Sequence, residues 1–363
     1  MPSATLTIDW GILSNVGVEA ASEQRDGLAL ESGLMKASEA ASGKGTKKWT
    51  SGGRYPVSVQ MYTHTGITSF SDGYEEFDNS AVEPDRVAYY SPAVSGLLLK
   101  IGIKETYEYG STTSGLKNKV KRLVSNGMGF LHRNWTQRIV SGLGSGFTDW
   151  TTFNGFDVTG ASGGVFERAA AGSQSNTIGG LSKSTYSFAI GWNNRVVNLS
   201  NAYGSNQTGL YQAVVATRRH KAGGKKYWLF SDQGITNQKR AVQANERYYA
   251  KDGLDSGIAV EKYHGYSIYQ EPQMPISTAT GGSTTNTYPI TAYLVDADDI
   301  FFAWMKRVQM DDGLVIPDGY FGVGDWRQIS GMQSVYGMPM YVAGQTIVAD
   351  MGSSAACYGG ETY

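Results

Sequence analysis

Few residues in this chain stand at spacings that chemistry could use. Gly160-Ala-Ser-Gly-Gly164 matches the nucleophile-elbow pattern, in which a strained strand-to-helix turn exposes the serine, here Ser162. That turn needs a core strand before it, and the residues from Phe153 to Thr159 make a poor one. In a chain with 47 Gly a chance match is ordinary. The histidines His64, His132, His220 and His264 show no metal-ligand spacing. Asp296, Asp298 and Asp299 could bind a cation at a strand turn, although such clusters are more often a solvated loop. Gly142-Leu-Gly-Ser-Gly146 follows a helical pattern and reads as a helix stop, not a dinucleotide loop. Arg218, Arg219, His220 and Lys221 close another helical segment, where cations meet the negative helix end; a nucleic-acid patch is the competing reading. No acid, base and nucleophile come together, so the expectation is a protein that is not an enzyme, with no catalytic residue, no cofactor and no metal site.

The charges are more informative than the nucleophiles. From Tyr109 to Thr148 there is no Asp or Glu, while Lys117, Lys119, Lys121, Arg122, Arg133 and Arg138 are all present. A solvated helix normally mixes signs, so this stretch is expected to face something negative. Just upstream, Asp72, Glu75, Glu76, Asp78, Glu83 and Asp85 supply six acids.

The bases sit on a helical pattern running from Thr112 to Leu143. Leu116, Val120, Leu123, Val124, Met128, Leu131, Trp135, Ile139 and Val140 recur at steps of three and four, which makes one apolar stripe. Ser111 or Thr113 can cap its start, and Gly127 and Gly129 are candidate bends at about 1 kcal/mol each relative to Ala. The acids lie between two β-rich runs. Val57, Val59 and Met61 alternate in the first, and Leu97, Leu99, Ile101 and Ile103 in the second. A two-stranded hairpin is marginal in water without a covering layer, so it is expected to lie on the rest of the fold or on another copy.

Elsewhere, residues 1–54 carry few large apolar side chains and read as an extended arm. Thr208–His220 reads as a helix, Lys226–Ser231 as a buried strand, and Asp232–Ala250 as a helix with Ile235, Val242 and Tyr249 inward. Tyr263–Tyr269, Ile290–Val295, Ile300–Met305 and Met338–Val348 read as strands, and Ser277–Thr287 as an exposed loop.

Composition bounds the classes. With 363 residues the chain can bury a large core, and its net charge of −1 excludes a globally basic nucleic-acid binder. One cysteine, Cys357, excludes an internal disulfide framework and a Cys-rich zinc site. No apolar run is long enough to cross a bilayer and the first residues are no signal peptide, so synthesis in a cytoplasm is expected.

Taken in order, these segments resemble the major capsid proteins of tailed phages, of the Hong Kong 97 fold type. The carriers are Gly52-Gly53 leading into a strand, Ser69–Asp78, the strand through Ile103, the long helix, and Ile178-Gly-Gly-Leu-Ser-Lys-Ser-Thr-Tyr186. Tyr227–Ser231, Tyr263-His-Gly-Tyr-Ser-Ile-Tyr269 before Pro272 and Pro275, and Tyr293-Leu-Val-Asp-Ala-Asp-Asp-Ile300 follow. The resemblance implies an α+β fold. Its parts would be an N-terminal arm (1–54), an extended β-hairpin loop (55–110), a spine helix with a peripheral domain (111–150, completed by about 290–310 and 338–363), and a mainly axial α/β domain (151–337). It implies a virion shell enclosing double-stranded DNA and built of hexamers and pentamers of the chain. A portal is an implied partner, and packaged DNA would be contacted without sequence specificity; no membrane is involved. The sequence shows no long charged N-terminal extension of the sort some relatives use as a built-in scaffold, so a separate scaffolding protein is expected, an extension already removed being the alternative. The six acids would then sit against a neighbouring copy and the six bases on the inner face. An encapsulin-type compartment and, more remotely, a Gly/Tyr-rich hydrolase or carbohydrate-binding protein are the alternatives.

Overall fold

A computed structural model describes residues 10–42, 46–49, 54–60, 85–109, 113–141, 155–156, 164–167, 173–186, 190–199, 206–232, 234–235, 261–274, 290–305, 308–309, 315–316, 322–329 and 335–358. The helices are α1 (Trp10–Glu31), α2 (Gly33–Ser42), α3 (Ile103–Tyr109), α4 (Thr113–Ser141) and α5 (Asn206–His220). The strands begin with β1 (Thr46–Trp49), β2 (Tyr55–Gln60), β3 (Asp85–Tyr90), β4 (Ala93–Gly102), β5 (Thr177–Ile178), β6 (Leu181–Ser182) and β7 (Arg195–Asn198). They continue with β8 (Lys226–Phe230), β9 (Glu261–Tyr263), β10 (Tyr266–Gln270), β11 (Ile290–Asp296) and β12 (Ile300–Met305). The last are β13 (Val308–Gln309), β14 (Val315–Ile316), β15 (Gly322–Val323), β16 (Arg327–Gln328), β17 (Val335–Val348) and β18 (Ala355–Tyr358).

Two sheets carry the molecule. In the first, β17 is the hub: it pairs antiparallel with β4 over ten residues, with β12 at its C-terminal end, and with β15 and β16. Strand β1 closes the edge, parallel to β12. Helix α4 lies across β4 and β17, and every large apolar residue of its stripe is buried except Leu123, which is half-buried. One unbroken helix runs through both glycines. The reason at Gly127 is contact: a Cβ there would stand 2.9 Å from Leu99 and 2.9 Å from Met340 of the sheet below. At Gly129 a Cβ would meet nothing.

The second sheet runs β7-β18-β11-β8-β10-β9. Its residues alternate between two cores, as the pleat requires. Trp228, Phe230, Ala292, Leu294 and Cys357 pack under α5, whereas Tyr227, Leu229, Tyr293 and Val295 join the main core around α4. Trp135 against Trp304, with centroids 5.0 Å apart, and the Phe156–Phe166–Tyr293 cluster connect the two sheets through one interior.

Three expectations change. Residues 10–49 are not an extended arm: α1 packs along α4, α2 packs on β8 and β10, and β1 is a sheet strand. Leu13, Ala20, Ala21, Leu34, Met35 and Ala37 lie in the main core. The β-run through Ile103 divides: β3 pairs with β2 as the base of the hairpin, β4 belongs to the α4 sheet, and Ile103 opens α3. Finally, residues 290–310 and 338–363 do not act as one unit. Strands β11 and β18 lie in the second sheet while β12 and β17 lie in the first, so the chain crosses between sheets at Ala297–Asp299 and again at Ala349–Ser354. The helix expected over Asp232–Ala250 and the loop Ser277–Thr287 lie outside the described residues apart from 232 and 234–235.

Candidate functional site

The expected catalytic and metal features do not converge. Ser162, His64 and the 142–146 glycines lie outside the described residues. His132 is buried on α4, His264 sits at the β9–β10 turn, and His220 ends α5. Burial, reinforced by Arg133, pushes the His132 imidazole down to about 4, so it is neutral at pH 7. Among the described residues no group of three His, Cys, Asp or Glu side chains has the arrangement of a metal site.

The Asp296–Asp299 turn turns out to be a junction. Lys221 at the end of α5 donates to both Asp299 oxygens, at 2.7 and 2.6 Å, and His220 contacts Asp350 at 2.7 Å. Lys226 turns inward onto the Thr217 and Lys221 carbonyls. These pairs bind the end of α5 to both chain crossings between the sheets. Asp296 is buried among them, and desolvation together with Asp299 raises its carboxyl to about 6. Of the 218–221 cations, His220 and Lys221 thus meet carboxylates of the crossings and not the carbonyls of their own helix end.

Sequence reasoning missed Lys183. It is fully buried, and its Nζ donates to the Val165 carbonyl (2.8 Å), Asn194 Oδ1 (2.9 Å) and Gln174 Oε1 (3.3 Å). Burial lowers its ammonium to about 7. Asn194 in turn holds Glu167 through its side chain, accepting from the Glu167 N–H and donating to its carbonyl. One lysine thus ties Val165, Gln174 and Asn194 together where the described residues have little regular structure. The run Ile178–Tyr186 contained it, but nothing in the pattern marks a lysine as interior.

The six bases of α4 are not equivalent. Lys119 is committed within the chain: its ammonium lies 3.1 Å from Glu105 of α3, and its side chain is only 13% exposed. That contact lowers the Glu105 carboxyl below its usual range. Lys121, Arg122 and Arg133 are exposed, and Lys117 and Arg138 are half-buried. Of the six acids, Asp85 is exposed at the last described pair of the β2–β3 ladder, opposite Gln60. Asp72, Glu75, Glu76, Asp78 and Glu83 lie outside the described residues.

No family model matches the chain, and no curated relative does either. Solved structures do match it over most of its length. A cyanophage A-1(L) capsid subunit aligns at a TM-score of 0.62 with 14% identity, covering 85% of this chain and 89% of that one. The fold is that of the Hong Kong 97-type capsid proteins. A structure from Mycobacterium phage Ogopogo aligns at 0.51 with 9% identity (90% and 91% covered), and the capsid of a native GTA particle at 0.50 with 11% identity (90% and 90%). At such identities the agreement lies in the order and pairing of elements and not in shared side chains.

Proposed function

We propose that the chain is a major capsid protein, a structural and non-enzymatic subunit that assembles with copies of itself into the icosahedral shell of a tailed phage around double-stranded DNA. The observation that carries this reading is the agreement with a phage capsid subunit over 85% of this chain and 89% of that one, at a TM-score of 0.62. The β2–β3 ladder supports it too: Val59, Ala88 and Tyr90 bury one face in the subunit's own core, while Val87 and Tyr89 stand exposed on the other face, which has no second layer among the described residues. A neighbouring copy would supply that layer, with the acids from Asp72 to Asp85 against its bases. Portal and scaffolding proteins would complete the particle.

On this reading Lys117, Lys121, Arg122, Arg133 and Arg138 line the inner face, where duplex DNA presents a charge every ~1.7 Å. No base-reading device accompanies them, so contact is with phosphate. Lys119 is a different case because Glu105 holds it. Changing Lys117, Lys121 and Arg122 to Gln should leave empty shells intact and make DNA-filled shells melt at lower temperature. Failure of the triple variant to form empty shells would make these residues assembly contacts and remove the DNA-facing role. For the function itself the test is ultracentrifugation of the expressed chain: it should pellet as large, uniform particles, and a chain that stays small under every condition contradicts the proposal.

A further inference from the structure

Helix α4 carries a second row of residues, on the face opposite its apolar stripe. Arg122, Asn126, Gly129, Arg133 and Thr136 follow one another at steps of four, three, four and three. Arg122 and Arg133 are exposed and stand about 16 Å apart along the helix. Neither is ion-paired among the described residues. Thr136 belongs to the same row and yet is only 1% exposed. The reason is a facing wall. Ser32, at the break between α1 and α2, and Glu271–Gln273, after β10, stand across from α4 and enclose with it a cleft of about 600 Å³.

The lining suits a side chain with an apolar body and a polar tip. Phe130, 48% exposed, and Pro272 border the cleft, and a Cβ on Gly129 would meet nothing within 4 Å. The Thr136 hydroxyl, which has no hydrogen-bond partner among the described residues, borders it as well. A buried hydroxyl is costly until something supplies that partner. Glu271 is the carboxylate of the described lining, and its oxygens already have donors. Its Oε2 accepts from the Ser32 hydroxyl and the Leu34 N–H, and its Oε1 from the Gln273 N–H. His132, in the same wall, is neutral at pH 7. The charge left without a counter-ion along this row is therefore positive.

We infer that the cleft seats an acidic segment of a partner protein, whose tyrosine or tryptophan enters beside Phe130 with its O–H or N–H toward Thr136 while flanking carboxylates pair with Arg122 and Arg133. Aromatic side chains with a polar tip are common anchors of protein contacts, and a guanidinium holds a carboxylate by two hydrogen bonds. The inference rests on the capsid reading for a second protein in the same particle, but binding is measured independently of assembly. Phosphate and carboxylate use the same guanidinium donors, so an acidic segment and DNA would occupy α4 in turn and not together.

The test is fluorescence anisotropy of fluorescein-labelled Glu-Glu-Ala-Tyr-Ala-Glu-Glu titrated with the full-length chain, with thermal melts to confirm folding. Extended, the outer glutamates of this peptide span about 20 Å, enough to reach both arginines. The wild type should bind it more weakly as salt rises, and at least about fivefold more tightly than the same peptide with Ala for Tyr. The double variant R122Q/R133Q should flatten the salt dependence. Gly129→Leu fills the cleft with a good helix former, so it should melt no lower than wild type and lose the preference for the Tyr peptide. Thr136→Val removes only the unpartnered hydroxyl; it should melt no lower, bind the Tyr peptide more weakly and leave the Ala peptide unaffected. The inference is overturned if the wild type does not distinguish the two peptides at low salt. It is equally overturned if the folded Gly129→Leu and Thr136→Val variants bind like wild type, which would leave α4 as a row of charge without a seat. A change in sedimentation of the peptide-free chain on Gly129→Leu would also overturn it, because the cleft would then hold a second copy. Particles that form while peptide binding fails would sink this inference alone; the reverse result would sink the capsid reading alone.

Discussion

At the scale of single residues, α4 is governed by contact more than by propensity. Gly127 and Gly129 look alike in sequence, yet only Gly127 is pressed onto Leu99 and Met340. Gly127→Ala should therefore destabilise by about 1–3 kcal/mol through overpacking, less whatever it gains in helix propensity. Gly129→Ala should stabilise by up to about 1 kcal/mol. Denaturant melts of the two variants check this, and equal effects of the same sign would count against it. His132 sets a pH response on the same helix. Its folded imidazole titrates near 4 against an ordinary 6.5, so the unfolded chain binds the proton first. The stability due to neutral His132 is present above pH 6.5 and is lost as pH falls toward 4. His132→Gln removes that slope, so the melting temperature of the wild type should fall more between pH 7 and 5 than that of the variant. Parallel curves would show that His132 does not titrate in this window.

Among the elements, legibility followed side-chain size. Helix α4 and the strands Lys226–Phe230 and Ile300–Met305 were readable because large apolar residues mark their buried faces. The first two helices were not, because α1 buries Gly17, Ala20 and Ala21, small residues that let it approach α4 closely but give little periodic signal. Its start is fixed by contacts distant in sequence: Trp10 stacks on Tyr336 at 3.8 Å, and Ser14 accepts the Trp326 N–H. The break before α2 is equally non-local, since buried Glu271 accepts from the Ser32 hydroxyl and the Leu34 N–H. The crossing of the chain between sheets at Asp299 was hidden for a similar reason, since Ile290–Val295 and Ile300–Met305 read as equal neighbouring strands. Removing residues 1–48 would strip these core residues and most of edge strand β1. The truncated chain should accordingly express as insoluble or molten protein, checked by solubility and near-ultraviolet circular dichroism. A soluble, cooperatively melting product would show that the N-terminal helices are dispensable to the fold.

For the whole molecule, the shell reading joins features that a lone subunit leaves unexplained: an exposed apolar face on the β2–β3 ladder and exposed bases on α4. The sequence showed the charge imbalance of α4 but not that Lys119 is used internally, because Glu105 lies on α3, a short helix that the pattern beyond Ile103 did not mark. Self-assembly into a closed shell is the central claim, and single-particle electron microscopy of the purified, pelleted chain tests it most directly. Closed icosahedral particles of uniform diameter, with each β2–β3 hairpin lying across an adjacent subunit, are the predicted result. Monomers, open aggregates, or shells in which the hairpin touches only its own subunit would contradict it.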